Sequence, residues 1–118
     1  MKTIKDMKNG LEWMNQDLDK EMTWDEAGDY CKSLGDGWRL PTVQELVAIL
    51  DYSQIKPALP ARHPFSSVQS SWYWSSTSNV DSTNYMWGVN LYYGSVGDGG
   101  KTSIGYVWPV RDLKWKMW

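Results

Sequence analysis

The apolar positions in the first half of the chain follow a helical repeat. Four of them recur at intervals of three and four residues, namely Trp24, Ala27, Cys31 and Leu34. This spacing places the four side chains on one face of a helix. Thr23 with Glu26 three residues later forms a capping box, in which each side chain binds a free backbone N–H. Gly35 is suited to a left-handed helix end, so we predict a helix within residues 23–35.

A second capping box follows a short turn. Thr42 and Glu45 repeat the same spacing directly after Pro41, and apolar residues follow them. The pattern predicts a second helix over residues 43–50. Three prolines lie within the next segment, at positions 57, 60 and 64, and they exclude a regular helix or a central strand there.

The second half of the chain has the alternating composition of strands. Its runs are WYWSST, YMWGVNLYY, GSVGD and YVWPVR, separated by polar or glycine-rich pieces. An early strand over residues 11–16 is expected to pair with the last strand over 106–111. Residues 1–10 are polar and expected to be frayed. The sequence therefore predicts an α+β fold in which two helices pack on a small twisted antiparallel sheet.

Composition restricts the class of protein. A chain of 118 residues is one domain, 1–118, and nine Trp, seven Tyr and one Phe supply an unusually aromatic core. The net charge of −2 without a basic stripe argues against nucleic acid as a partner. The single cysteine excludes an internal disulfide. No apolar run is long enough for a membrane span, and the N-terminus lacks the pattern of a signal peptide.

The order of motifs resembles a known family. GLEWMNQD, TWDEAGDYCKSLGDGWRLPTVQELVAILDY, YWSST, W-x-VN, a G-x-V hairpin and YVxPVR occur in the order typical of the C-terminal domain of the Legionella collagen-like protein. The resemblance covers residues 10–112. It implies a C-type-lectin-like fold, related to the formylglycine-generating domain.

Several proteins of this fold are the variable proteins of diversity-generating retroelements, in which a reverse transcriptase randomises adenines of a C-terminal cassette. Randomised adenine-adenine-pyrimidine codons cannot encode Lys, Glu, Gln, Met or Trp. Between residues 78 and 105 only Met86, Trp87 and Lys101 fall outside the permitted set. A polar hairpin rich in Gly, Ser, Asn and Tyr would also fit this set. The resemblance implies a variable cassette over residues 75–111.

The candidate ligand-binding residues are those between the framework positions of this cassette. They are Val80, Asp81, Tyr85, Gly88, Tyr92, Tyr93, Gly97, Asp98, Gly99, Gly100, Ile104, Gly105 and Trp108. Tyrosine, glycine, serine and aspartate are also frequent in antibody loops. Most of these positions are expected to accept substitution without loss of folding. Gly88, Tyr92, Ile104 and Asp98 are expected to share one exposed patch, whereas adjacent Tyr92 and Tyr93 would point to opposite faces of a strand.

No motif for catalysis or cofactor binding is found. His63 lies in the proline-rich segment without a nucleophile motif, and Cys31 is expected to pack as a small hydrophobic residue. The resemblance to formylglycine-generating enzymes implies a cysteine pair, which this chain lacks. Asp81 and Asp98 are too few for a calcium site, and a strand rather than a helix follows the glycines at 97–100, which argues against a phosphate loop. We predict no cofactor and no metal.

The expected function is therefore non-enzymatic binding of a protein or cell-surface ligand. The alternatives are a non-diversified adhesion or carbohydrate-binding module of the same family and, third, an enzyme related to the formylglycine-generating fold. The resemblance implies multivalent display on a virion or cell surface through other parts; otherwise the domain would be cytoplasmic. The tail carrying Trp115 and Trp118 is either a cap over the sheet or a docking segment.

Overall fold

The structure, a computed structural model, describes residues 1–114, so the tail with Trp115 and Trp118 lies outside the described residues. Within these residues the domain has eight strands and two helices. In chain order they are β1 (Thr3–Asp6), β2 (Leu11–Met14), β3 (Glu21–Thr23), α1 (Trp24–Ser33), α2 (Val43–Ala48), β4 (Trp72–Ser78), β5 (Tyr85–Asn90), β6 (Ser95–Gly100), β7 (Ile104–Tyr106) and β8 (Val110–Asp112). The α+β class is confirmed.

Both helices begin at the predicted capping boxes. The Thr23 hydroxyl accepts the Glu26 N–H, and Thr42 accepts the Glu45 N–H in the same way. Each glutamate side chain in turn binds its threonine N–H. Gly35 has a φ of +69° directly after the helix end at Leu34, as the sequence predicts. The second helix ends two residues earlier than expected.

The two ends of the chain meet in a three-stranded sheet of order β1-β2-β8. The predicted pairing of the early strand with the last one is confirmed, with Trp13 opposite Val110. The prediction that residues 1–10 are frayed is wrong. Residues Thr3–Asp6 pair with β2, and the Thr3 hydroxyl donates to the Glu12 carboxylate at 2.6 Å. Residues 1–10 are polar because β1 is the edge strand of this sheet and is exposed to solvent on one side.

The remaining strands form a five-stranded sheet of order β3-β7-β4-β5-β6. The sheet is antiparallel as predicted except at one pair, because β4 and β7 run parallel where Tyr73 lies opposite Tyr106. The other pairs are antiparallel, and a register shift interrupts β4 between Trp74 and Ser78. The irregular segment over residues 51–71 contains no helix or strand, as its prolines predict.

Tryptophan and tyrosine fill the core. One cluster contains Trp13, Tyr73 and Trp108, with the Trp108 ring 5.2 Å from that of Trp13 and 5.5 Å from that of Tyr73. A second cluster, with Trp74 and Cys31, joins α1 to the five-stranded sheet. No helix among residues 1–114 has the length and apolar character required to cross a membrane.

Candidate functional site

Five of the candidate residues form a continuous surface at the β5–β6 hairpin. This hairpin surface consists of Asn79, Val80, Asp81, Tyr85, Asp98 and Gly100, of which Asn79 was not among the predicted residues. Asn79 connects Asp81 in the β4–β5 loop with Asp98 on β6. Its side-chain amide donates to Asp98 at 2.8 Å, and its side-chain oxygen accepts the Asp81 N–H at 3.0 Å. Tyr85 lies opposite Gly100 in the hairpin.

The side chains of this surface extend from a backbone fixed by hydrogen bonds. The Asn79 N–H donates to the Tyr85 carbonyl at 2.9 Å, and the Lys101 N–H donates to the Asn84 carbonyl at 3.0 Å. The Lys101 carbonyl accepts the Trp24 N–H at 3.2 Å, which ties the following turn to the start of α1. Backbone bonds of this kind do not depend on which side chains the surface carries.

The exposed side chains are apolar or acidic. Val80 is 89% exposed and Tyr85 45%. Asp81 and Asp98 are exposed as well, and residues 79–100 contain no lysine or arginine. The surface therefore has a negative local charge that disfavours polyanionic ligands.

The expected patch of Gly88, Tyr92, Ile104 and Asp98 does not form. Asp98 lies opposite Trp87, so it points to the other face of the sheet from Gly88, the next residue along β5. Ile104 lies on β7, which β4 separates from the hairpin. Tyr92 lies in the turn after β5, outside both strands.

Three candidate residues are buried, so the prediction that they lie on an exposed surface is wrong. Trp108 is fully buried, and its indole N–H donates to the Met14 carbonyl at 2.9 Å. Gly88 and Gly105 lie beneath the Trp72 side chain. A Cβ on either glycine would come within 2.5 Å of Trp72, and one on Gly88 would also meet the Tyr73 carbonyl at 2.5 Å. Both glycines are therefore required by packing.

Gly97 and Gly99 line the same face but leave more room. A Cβ on Gly97 would meet Trp72 at 3.7 Å, and one on Gly99 would meet Trp74 at 3.4 Å. These are ordinary contact distances, so both positions accept a small side chain. A Cβ on Gly100 would lie 3.8 Å from the Tyr85 ring.

A second group, exposed except for the half-buried Tyr92, lies at the turn between β5 and β6, and we call it the tyrosine patch. It consists of Tyr52, Ile55, Lys56, Tyr92 and Tyr93. The Tyr92 and Tyr93 rings meet edge to face at 4.6 Å, so the expectation that they point apart is wrong. The reason is that residues 91–94 form a turn rather than a strand.

Sequence analysis missed the other members of the tyrosine patch. Tyr52 and Ile55 are exposed, and the Lys56 ammonium lies 5.3 Å from the Tyr92 ring centroid. The Lys56 N–H donates to the Tyr92 carbonyl at 3.0 Å, which brings the two segments together. Apolar residues in the proline-rich segment are the sequence signal that could have identified these members of the patch.

The residues considered for chemistry have structural roles. Arg39 forms a two-bond ion pair with Glu45 at 2.8 and 2.9 Å and binds Asp112 at 2.9 Å, so it orders the turn before α2. The hydrogen bond with Glu45 raises the pKa of Arg39 further above its usual range, against the opposing effect of burial. Burial raises the pKa of the Cys31 thiol to about 12, so it stays protonated.

His63 contacts its near neighbour Phe65. Its Nδ1 accepts the Phe65 N–H at 3.2 Å, and its ring stacks on that of Phe65. Within residues 1–114, no three His, Cys, Asp or Glu side chains come close enough together to hold a metal ion.

The fold and its surfaces define a small tryptophan-rich α+β domain whose exposed residues come mainly from hairpins and turns. The chain belongs to the Lcl C-terminal domain family, whose model matches residues 2–111. This match confirms the resemblance seen in the sequence motifs, and it includes the β1 strand. No curated protein matches the chain.

Proposed function

We propose that this chain is a non-enzymatic binding domain, the variable protein of a diversity-generating retroelement, with a C-type-lectin-like scaffold. The observation that carries the proposal is the exposure of large apolar side chains within residues 75–111. These are Val80, Tyr85, Tyr93, Val96 and Ile104. Val80 and Tyr85 lie together on the hairpin surface, and exposed apolar side chains that cluster in this way are typical of a binding surface.

The division between framework and surface supports this function. Trp74, Val89 and Val107 are fully buried, while the neighbouring cassette residues of the hairpin surface face solvent. Side chains in solvent change stability little when they are replaced. A cassette built in this way tolerates randomisation of its exposed positions.

The chemistry of the hairpin surface favours a protein or an uncharged cell-surface ligand. Tyr85 offers apolar area and a hydroxyl with few torsions to restrict. Asp81 and Asp98 add acceptors, and residues 79–100 have no basic side chain to bind phosphate or sulfate. A partner with amide and apolar groups complements this surface best.

Two libraries test the display function. The first randomises Val80, Asp81, Tyr85 and Asp98, and the control library randomises Tyr73, Val89 and Val107, which are buried. Each is displayed on yeast and sorted for protease resistance. We expect most members of the first library and few of the control to remain folded. Equal losses in both libraries would contradict the proposal.

The coding DNA tests the retroelement separately. We expect a near-repeat of the segment that encodes residues 75–111, which differs from it mainly at adenines, beside a reverse transcriptase gene. Sequencing of the flanking DNA decides this point. An intact locus without such a repeat would leave a binding module that is not diversified.

The tyrosine patch favours that second candidate, an adhesion or carbohydrate-binding module. Tyr52 and Tyr93 expose rings with an apolar face and a polar tip. Screening on a neutral glycan array would distinguish the two. Binding that Tyr93→Ala abolishes and Tyr85→Ala leaves unchanged would favour the carbohydrate module. An enzyme of the formylglycine-generating type is disfavoured, because it requires a reactive cysteine pair and Cys31 is single, buried and protonated.

A further inference from the structure

The β6 strand is the outer edge of the five-stranded sheet, so one side of its backbone has no neighbouring strand. Hydrogen bonds at the two ends of β5 show which groups of β6 face outward. The Leu91 N–H donates to the Ser71 carbonyl, on the β4 side, at 2.8 Å, and the Lys101 N–H donates to the Asn84 carbonyl at 3.0 Å. Bonding direction alternates along antiparallel strands. The even-numbered residues of β5 therefore bond to the odd-numbered residues of β6.

The even-numbered residues of β6 consequently turn their backbone groups toward the open edge. Val96 and Asp98 each present an N–H and a carbonyl there, and Gly100 presents its N–H. The Gly100 carbonyl already accepts the Ser103 N–H at 2.9 Å, whereas no backbone group of residues 1–114 bonds to the other five. Edge strands are usually protected by lysine, proline or a bulge. β6 has neither lysine nor proline, and its register with β5 is unbroken.

One face of the sheet beside this edge has no side chains of its own on β6 beyond Ser95. Gly97 and Gly99 lie on this face, where a Cβ would meet Trp72 at 3.7 Å and Trp74 at 3.4 Å. A side chain on a strand added next to β6 would therefore find free space above the glycines, with tryptophan rings behind it. Aromatic side chains fill the space that glycines leave on a neighbouring strand. This face favours aromatic residues on the added strand.

The other face carries a carboxylate without a cation. Asp98 and Val96 are exposed on it, and Asp98 forms no ion pair within residues 1–114. Its one hydrogen-bond partner there is the Asn79 amide at 2.8 Å. Side chains directly opposite each other on adjacent strands interact, and opposite charges stabilise the pair. This face favours a lysine or arginine opposite Asp98.

From these features we propose that β6 binds an extended segment of a protein partner as an added antiparallel strand. A basic residue of that segment lies opposite Asp98, and the aromatic residues on either side of it lie opposite Gly97 and Gly99. Backbone bonds supply affinity whatever side chains the cassette carries, and the flanking side chains select the segment. A second copy of β6 fits poorly, because it offers glycines and an acid in place of aromatic and basic residues. The inference rests on the proposed binding function and specifies how its partner is held.

Hydrogen exchange of the free domain, followed by ¹H–¹⁵N spectra, tests the edge itself. We expect the amides of Val96, Asp98 and Gly100 to exchange at least about tenfold faster than those of Gly97 and Gly99, which bond to β5. Equal protection of all five amides would overturn the proposal. If dilution then removed the protection of the three outward amides, the occupant of the edge would be a second copy.

The peptide TKFKFKT, acetylated and amidated, tests the added strand, with its central lysine placed opposite Asp98. We expect a Kd of about 1 mM or tighter and slower exchange of the three outward amides. N-methylation of the central lysine removes an N–H that points to β6 and should weaken binding at least about tenfold. N-methylation of the first phenylalanine, whose N–H points away from β6, is the matched control and should change the Kd less than about threefold.

Side-chain changes test the chemistry of the partner. TEFEFET, with the charges reversed, and TKAKAKT, without the rings, should each bind at least about fivefold more weakly. Asp98→Asn should weaken binding of TKFKFKT at least about threefold, and Asp29→Asn, which removes an exposed acid on α1, should leave it unchanged.

Three results would overturn the added-strand proposal: no binding at about 10 mM peptide, equal binding of the two N-methylated peptides, or unchanged binding by Asp98→Asn. A hairpin-library variant that binds a chosen protein without protecting the outward amides would also overturn it, while leaving the proposed function in place.

Discussion

Gly88 and Gly105 lie on two strands of the five-stranded sheet, and the Trp72 ring covers both. We predict that Gly88→Ala and Gly105→Ala each lower the free energy of unfolding by about 2 kcal/mol or more, because the new Cβ overlaps Trp72. Gly100→Ala is the matched control, since its Cβ lies 3.8 Å from the nearest ring. Urea denaturation measures all three, and equal stability of the Gly88 and Gly100 variants would contradict this packing.

The indole groups of Trp13 and Trp108 are both buried and in contact, but only that of Trp108 has an acceptor. Substitution by Phe removes ring volume at both positions. At Trp108 it also removes a hydrogen bond, whereas at Trp13 it removes an unpaired donor. We therefore expect Trp13→Phe to cost less stability than Trp108→Phe, by about 1 kcal/mol. The reverse order in chemical denaturation would show that the Trp13 N–H is paired in solution.

At the scale of elements, the start of α2 depends on a partly buried carboxylate. Burial by itself would raise the pKa of Glu45, but hydrogen bonds from Arg39 and from the Thr42 backbone outweigh it and lower the pKa. A lowered pKa in the folded state means that this stabilisation is present at neutral pH and disappears as the pH falls below about 4.

We predict that Glu45→Gln lowers stability at pH 7 by about 1–2 kcal/mol and makes the acid side of the stability profile less steep. Glu26→Gln is the control, because Glu26 occupies the same position of the α1 capping box without an arginine partner. Its effect should be smaller. Thermal melts between pH 3 and pH 7 measure both, and an unchanged acid profile for Glu45→Gln would contradict the prediction.

The β1 strand is a structural element of the domain. Ile4 lies opposite Trp13 in the three-stranded sheet, and its removal would uncover the core at this point. We predict that deletion of residues 1–7 costs about 2 kcal/mol or more, and that Ile4→Ala is more destabilising than Lys5→Ala, whose side chain is exposed. A truncated domain that melts at the temperature of the full chain would show that β1 contributes nothing.

At the scale of the whole molecule, the proposed binding surface is small and carries no cation between residues 79 and 100. One domain offers about 800 Å² or less, so we expect weak binding by the monomer and a gain of about 100-fold or more when a coiled coil presents three copies. Biolayer interferometry measures both, with a hairpin-library variant that has been selected for binding to a chosen protein.

The salt and metal dependence of that binding is also predicted. We expect a change in Kd of less than about threefold between low and high salt, and none with EDTA, because the hairpin surface is acidic and no three His, Cys, Asp or Glu side chains in residues 1–114 are grouped to hold a metal ion. A steep loss with salt would favour a polyanion, and loss on chelation would favour a calcium-dependent lectin.

Local chemistry in the sequence determined the helices, their capping boxes, the irregular proline-rich segment and the family. A capping box involves residues three apart, and a proline acts on its own turn, so neither depends on the rest of the fold. The pairing of the first and last strands was also predictable, since the strands of a single domain need partners within it.

Only the tertiary structure decided which strand faces are buried. A strand presents alternate residues to two faces, and packing elsewhere selects the face that is covered. Trp72 covers Gly88 and Gly105, so two glycines that looked like variable positions are packing positions. The Tyr52 ring lies beside Gly94 in the β5–β6 turn, and the Trp13 ring contacts that of Trp108. Contacts between distant residues depend on the whole arrangement of strands, and no local pattern encodes them.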